Sequence, residues 1–319
     1  MLKHNARVQD KKVIKPHKKR KYAPGHWSLT TMEIPGILYV LIFSYLPMVG
    51  LIMAFKDYKF NLGIFGSPWN GFDNFTYLFK SNTMGTLIRN TVGYNLAFQL
   101  LGIATQVTAA ILLLGLTSRK WVVKISQSAM LLPYFMSWIV LSYLSHALLS
   151  NNGVINHILT SLGMDTISFY TEPKYWPAIL ILFETWKGLG YGTLVYYGTM
   201  LGIDPTLYEA AEIDGCGYFK KHRYITLPMI GKTVCILTIL NMGKIFHSDF
   251  SLFMYVPKDS GSLYSVTDVL DLYINRSLRL GGSMGQSTAI SLMQSVVGLI
   301  TVLTVNKIVS KFDEDSALF

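Results

Sequence analysis

Glu184 and Lys187 stand three residues apart inside a long apolar stretch, a spacing that makes them neighbours on a helix. Charge is costly inside a membrane and marks function by default. Two readings of the pair stay open: a self-neutralising structural pair, or a lysine that meets an anionic solute. Lys244, His247 and Asp249 form a second charged cluster in another apolar stretch. Tyr134, Phe135, Trp138, Trp186, Tyr191, Tyr196 and Tyr197 supply aromatic rings, and Asn95, Gln99, Asn241 and Gln294 supply amides. Flat rings cover the C–H face of a polyhydroxylated ring while amides pair with its hydroxyls, so this mixture suits a sugar-like ligand. Trp138, Glu184, Lys187, Tyr191, Asn241 and Lys244 are the candidate binding residues. The cations set against Glu184 and Asp249 point to an anionic ligand unless internal pairs cancel them.

No reaction centre emerges beside them. The chain has no H-E-x-x-H, no G-x-S-x-G and no paired carboxylates with a plausible site. Gly231-Lys232-Thr233 has the ending of a phosphate-binding loop, but Thr226 stands where the loop needs its first glycine, and Pro228 interrupts it. Any ATP chemistry therefore belongs to a separate subunit. Cys216 and Cys235 match neither a disulfide framework nor metal-ligand spacing, so no metal is expected.

The elements that must position these residues are membrane spans. Of 319 residues, 51% are hydrophobic and only 14% charged, against about 25% charged in soluble domains. Six segments reach the roughly 20 residues a spanning helix needs: 34–55, 86–116, 125–149, 176–203, 229–256 and 287–309. An all-α integral membrane protein with six transmembrane helices is predicted, with residues 1–32 as a basic tail and 33–319 as one membrane domain. Residues 154–162 have helical spacing and read as a short helix at the outer interface. Arg119, Lys120, Lys124, Lys220, Lys221, Arg223, Lys232, Lys307 and Lys311 join the basic tail on one side. Lys56, Lys59, Lys80, Lys174, Lys258, Arg276 and Arg279 fall on the other. That excess places both termini in the cytoplasm. The net charge of +10 is then mainly a topology signal, and the tail suits anionic lipid better than nucleic acid. No cleavable leader is expected.

The loop between the fourth and fifth spans reads EAAEIDGCGYFKKHRYITLP over residues 209–228. Asp204-Pro205 is a helix-start signal. Small Ala210 and Ala211 allow close approach of a partner, and Gly215 and Gly217 permit a sharp turn. Tyr218 to Tyr224 reads as a second short helix, after which Pro228 launches the fifth span.

Glu209, Ala210, Ala211, Gly215, Ile225, Leu227 and Pro228 fill every fixed place of E-A-A-x3-G-x9-I-x-L-P, a match expected by chance at about 10⁻⁸ per starting position. This segment resembles the cytoplasmic loop of ABC-importer permease subunits. Gly71, Asn74 and Phe75, then Asn90-Thr91, resemble the periplasm-side entry of sugar-importer permeases. The Trp186-Lys187-Gly188-x-Gly190-Tyr191 run, TDVLDLY, Ser295–Gly298 and Ala317-Leu318-Phe319 resemble the polysaccharide and multiple-sugar branch of that group, related to maltose-type permeases. The resemblance implies the type I importer fold and a coupling segment, 204–228, that docks in a cleft of the ATPase. Glu209, Ala210, Ala211, Asp214, Gly215, Phe219, Leu227 and Pro228 would form that segment, with Glu209 an anchor and Phe219 an aromatic plug. It further implies a second similar permease, two ATPase subunits that bind ATP and Mg, an extracytoplasmic solute-binding protein, a carbohydrate substrate, alternating access, and the plasma membrane of a prokaryote. A permease for a non-sugar solute, or an integral membrane enzyme or scaffold, are the alternatives.

Overall fold

The computed structural model describes residues 26–80 and 82–312. The tail up to residue 25 and the closing Ala317-Leu318-Phe319 lie outside the described residues. The chain divides near Gly50 into two compact units. In the first unit, α1 (His26–Val40) begins within the segment read as tail. It passes through a wide π turn, Leu41–Tyr45, into the tighter helix that starts at Leu46. Its large apolar side chains, among them Ile37, Tyr39 and Phe43, are exposed, as suits a helix in lipid.

The second unit is built of helices. In order they are α2 (Asp73–Lys80), α3 (Asn82–Gly115), α4 (Lys120–Phe135), α5 (Trp138–Leu149), α6 (Val154–Ser161), α7 (Trp176–Leu201), α8 (Pro205–Ile213), α9 (Leu227–Met242), α10 (Phe250–Tyr255), α11 (Leu270–Arg279) and α12 (Met284–Phe312). The short helix α6 forms where the spacing predicted one. Among the described residues, four helices are long and apolar enough to cross a membrane, or five if one bent pair counts as a span. Helix α7 has 26 residues, about 39 Å at 1.5 Å per residue. It is not in that apolar set, because its middle carries Glu184, Lys187 and several glycines.

Two predicted spans are broken. The segment read as one helix over 125–149 is α4 and α5, bent by 97° where they meet. Pro133 withholds a backbone N–H one turn before the break, and Ser137 caps the new helix by accepting from Val140 N–H at 3.3 Å. The segment read as one helix over 229–256 ends at Met242, and residues 243–249 form an unwound link before α10. Hydropathy is blind to both breaks, since neighbouring side chains re-satisfy the freed backbone groups.

Side chains from three helices do that work at the second break. Asn95 donates to the carbonyls of Ile245 at 3.0 Å and His247 at 2.8 Å. Gln294 donates to Phe246 O at 2.5 Å, and Asp271 accepts from Ser248 N–H at 2.7 Å. Asn74, in the GFDNF motif, donates to Ala54 O at 2.9 Å and Lys56 O at 3.0 Å. Asn90 donates to Asp268 O at 2.9 Å, and Thr91 Oγ1 accepts from Leu270 N–H at 3.0 Å. The motifs GFDNF, Asn90-Thr91 and TDVLDLY are therefore clasps between elements distant in sequence.

Helices α3 and α7 run along each other, with α4 on the other side of α7. At Gly190 a Cβ would stand 2.1 Å from the Met130 carbonyl oxygen, so this α4–α7 contact admits only glycine. One apolar cluster gathers Tyr94, Trp138, Trp176, Phe183 and Phe253, and another Val107, Tyr196, Met200, Ile203 and Ile230. Along α3 and α7 the stretch between these two clusters, residues 95–106 and 184–195, stays open.

Candidate functional site

That open stretch is a cavity of about 650 Å³, within the size range of small-ligand sites. Asn95, Gln99 and Gln106 of α3 line it, with Glu184, Thr185 and Tyr191 of α7, Asn241 of α9, and Lys244, His247, Ser248 and Asp249 of the unwound link. Four of the six candidate binding residues, Glu184, Tyr191, Asn241 and Lys244, thus line one cavity. The amides divide differently: Asn95 and Gln294 are committed to backbone carbonyls, and Gln294 does not line the cavity.

Trp138 is buried outside it, in the neighbouring apolar cluster. Its indole N–H donates to Asp249 Oδ2 at 2.5 Å, while Asp249 Oδ1 caps α10 by accepting from Ser251 N–H at 2.8 Å. Trp138 therefore holds a cavity residue in place. Lys187 also points elsewhere. Its Nζ donates to the carbonyls of Met136 at 2.6 Å, Tyr134 at 2.9 Å and Pro133 at 3.4 Å, and it lies 5.2 Å from the Trp138 ring centre. Among the described residues no ion pair joins Lys187 to Glu184, so the sequence spacing misled. A helix end with exposed carbonyls attracts a cation more strongly than an intrahelical neighbour does.

Three buried polar atoms on the cavity wall have no protein partner: Glu184 Oε2, Thr185 Oγ1 and Ser248 Oγ. Such groups are costly to leave unsatisfied. Facing the same space, Tyr134 and Tyr191 stack with ring centres 5.2 Å apart and planes 12° from parallel. Sequence reasoning named both rings without pairing them, because one belongs to α4 and the other to α7. The structure shows which of these cations have protein partners. Lys187 is spent on carbonyls and Arg89 binds Asn90 Oδ1 and Ser265 O, while Lys244 lines the cavity together with Glu184, His247 and Asp249.

The segment 204–228 is the second site. Asp204 Oδ1 accepts from Thr206 N–H at 2.9 Å at the start of α8, and that bond holds its carboxyl below the usual carboxylate range. Helix α8 closes with Cys216 N–H donating to Ala211 O at 2.8 Å and Gly215 N–H to Glu212 O at 3.0 Å. This is a Schellman closure with Gly215 in the left-handed region at φ +72°. A side chain at Gly215 would meet no atom within 4 Å, so the requirement is backbone conformation and not space. Gly217 has an ordinary φ of −70°.

Glu209, Ala210, Asp214 and Pro228 are exposed, Ala211 and Leu227 half-buried, and Phe219 is 86% exposed. Ile213, which sequence reasoning passed over, is 88% exposed. Lys221 pairs with Glu212 across the turn. After Gly217 one α turn, Tyr218–Lys221, continues through a π turn, His222–Thr226, straight into α9. The expected separate short helix is thus the beginning of the fifth apolar helix. The wide turn lets Pro228 enter without the carbonyl clash of a regular helix.

Residues 107–311 match the family model described as the binding-protein-dependent transport system inner membrane component. Two relatives from Bacillus subtilis (strain 168) cover 90% of this chain: protein LplB, 35% identical over 90% of its own length, and the polygalacturonan/rhamnogalacturonan transport system permease protein YteP, 33% identical over 89%. Among solved structures, a chain of a bacterial ABC transporter involved in the import of the acidic polysaccharide alginate superposes with a TM-score of 0.82 at 32% identity. The match covers 90% of this chain and 96% of that one. The chain belongs to the family of binding-protein-dependent transport inner membrane components. It is a membrane-located, non-catalytic permease subunit of an ABC importer.

Proposed function

We propose that this subunit imports an oligosaccharide or polysaccharide fragment through the cavity between α3, α7 and the unwound link, by alternating access. One observation carries the reading. Three unsatisfied polar atoms and the Tyr134–Tyr191 stack belong to residues that line a single cavity. Rings for a C–H face beside unpaired groups for hydroxyls are what a saccharide needs. The relatives named for polygalacturonan, rhamnogalacturonan and alginate support the same class. Glu184, Tyr191, Asn241 and Lys244 are the proposed contacts, with Trp138 and Lys187 positioning the cavity wall.

The proposed topology has six spans and cytoplasmic termini, with residues 1–32 a basic tail against lipid and 33–319 the permease domain. In this topology α7 and the bent pair α4 and α5 would cross the membrane alongside the four long apolar helices. In the proposed assembly a second permease, two ATPases carrying ATP and Mg, and an extracytoplasmic solute-binding protein surround the chain in a prokaryotic plasma membrane. A transporter caught with a binding protein loaded with alginate pentasaccharide supports the last of these. Glu209, Ala210, Ala211, Asp214, Gly215, Phe219, Leu227 and Pro228 form the coupling segment, with Ile213 added to the docking face. ATP closes the ATPase pair, the coupling segments approach, and the cavity opens outward; hydrolysis returns it inward. Each step requires that nucleotide or sugar bind one state better than the other.

Affinity purification of the tagged chain from its native membrane tests the assembly. Recovery of an ABC ATPase and a second permease supports the reading. Recovery of the chain alone from mild detergent, together with uptake that ignores ATP, would defeat it.

A further inference from the structure

Where α3 meets the start of the fifth apolar helix there is a second hollow, about 590 Å³ in volume. Ile111 and Leu112 of α3, Phe219 of the coupling segment and Leu227 of α9 give it an apolar lining, and Lys220, Arg223 and Tyr224 add cationic and polar groups. The joint beneath it is firmly built. Tyr218 Oη donates to Ile111 O at 3.3 Å, and its ring stands 4.3 Å from that of His222. His222 Nδ1 lies 2.9 Å from Thr226 Oγ1, which lies 2.9 Å from Tyr208 Oη. The hollow therefore has fixed walls and not a loop surface.

We propose that this hollow binds an acidic phospholipid of the inner leaflet, with the phosphate between Lys220 and Arg223 and an acyl chain over Leu112 and Leu227. Charge complementarity selects the occupant. Neither Lys220 nor Arg223 has an acidic partner among the described residues, whereas Lys221 between them is neutralised by Glu212. Depth supports the choice. Leu112 is 59% exposed near the end of a helix apolar enough to cross a membrane, and the cations lie at the start of another. Apolar lining and cationic groups thus coincide with the acyl and headgroup layers, where anionic lipid attracts basic side chains. A lipid there would brace the joint between the coupling segment and α3, which also lines the transport cavity. The proposal rests on the cytoplasmic placement of that segment given above.

The test uses the whole complex of permeases and ATPases, purified in detergent and titrated with phosphatidylglycerol while bound lipid is counted by native mass spectrometry. Two cations at about 1 kcal/mol each correspond to a roughly 30-fold loss of lipid affinity in Lys220→Gln/Arg223→Gln. The equal-charge control Lys120→Gln/Lys124→Gln, at exposed positions outside the hollow, is expected to change affinity less than about 3-fold. Leu112→Trp, which fills the hollow and keeps every charge, should also expel the lipid, and excess inorganic phosphate should not compete. Equal losses in the two double variants, or retention of lipid by Leu112→Trp, overturn the proposal. So does a Lys220→Gln/Arg223→Gln complex that keeps its lipid but sheds the ATPase, since the hollow then belongs to that partner. Failure of the permease reading is distinguishable: the wild-type complex would show no sugar-stimulated ATP hydrolysis in any lipid.

Discussion

Lys187 Nζ lies 2.6 Å from the carbonyl oxygen of Met136, two residues ahead of Trp138, and binds Tyr134 O at 2.9 Å as well. The lysine of the WKGLGY run thus closes the broken end of α4, two residues after which the chain turns by 97°. Gly190, in the same run, admits the Met130 carbonyl, and Tyr191 turns to the cavity. One short motif builds a helix break, a close helix contact and a cavity wall.

Replacing Lys187 by Met should cost roughly 1.5–3 kcal/mol, the worth of hydrogen bonds from a charged donor. Glu184→Gln should couple to it by less than about 1 kcal/mol, because among the described residues no ion pair joins the two side chains. Unfolding of single and double variants in detergent reads the difference. A coupling energy above about 1 kcal/mol would restore the ion pair.

At Gly215 the demand is conformational, so the identity of the replacement matters. Gly215→Val forces a β-branched residue to φ +72°, at a cost of about 1–3 kcal/mol. It should sever sugar-stimulated ATP hydrolysis while the subunit still assembles. Gly215→Asn should retain coupling, since Asn tolerates the left-handed region. Equal damage from both would show that the space around the turn, and not its dihedral, is what matters.

The coupling segment was legible because its geometry is local. Asp204, Pro205 and Gly215 fix the start and stop of α8 whatever surrounds them. Helix ends around the breaks were not, since Asn95, Gln294 and Lys187 reach them from sequence separations of 48 to 152 residues and of 51. Aromatic and amide candidates could be named, yet their rotation could not. The spans are apolar on nearly all sides, so periodicity gave no facing direction. Trp138 and Lys187 accordingly turned away from the cavity, while Glu184, Tyr191, Asn241 and Lys244 turned into it.

Trp138→Phe keeps an aromatic ring in the core but removes the N–H that holds Asp249. One charge-assisted hydrogen bond corresponds to about a 10-fold rise in the KM of uptake. An unchanged KM would mean that Asp249 is held by Ser251 alone.

Asp204 gives the coupling segment a pH dependence. Its carboxyl is held below the usual carboxylate range by Thr206 N–H, so ionised Asp204 favours the folded helix start. That stabilisation is present above the unfolded carboxylate pKa and is lost as pH falls through the lowered value. Asp204→Asn, which caps without a charge, should remove this contribution to the acid loss of coupling and leave activity at neutral pH. An identical acid profile in the variant would assign the loss to another group.

The most direct measurement is uptake of a labelled oligosaccharide into vesicles holding the complete complex, with ATP inside and the loaded binding protein outside. Transport should require both. Tyr134→Ala/Tyr191→Ala should lower it about 10-fold, as two aromatic contacts of about 0.5–1.5 kcal/mol each would imply, while basal ATP hydrolysis persists. Sugar entry without ATP, or wild-type uptake through the double variant, would contradict the assignment of this cavity to driven saccharide import.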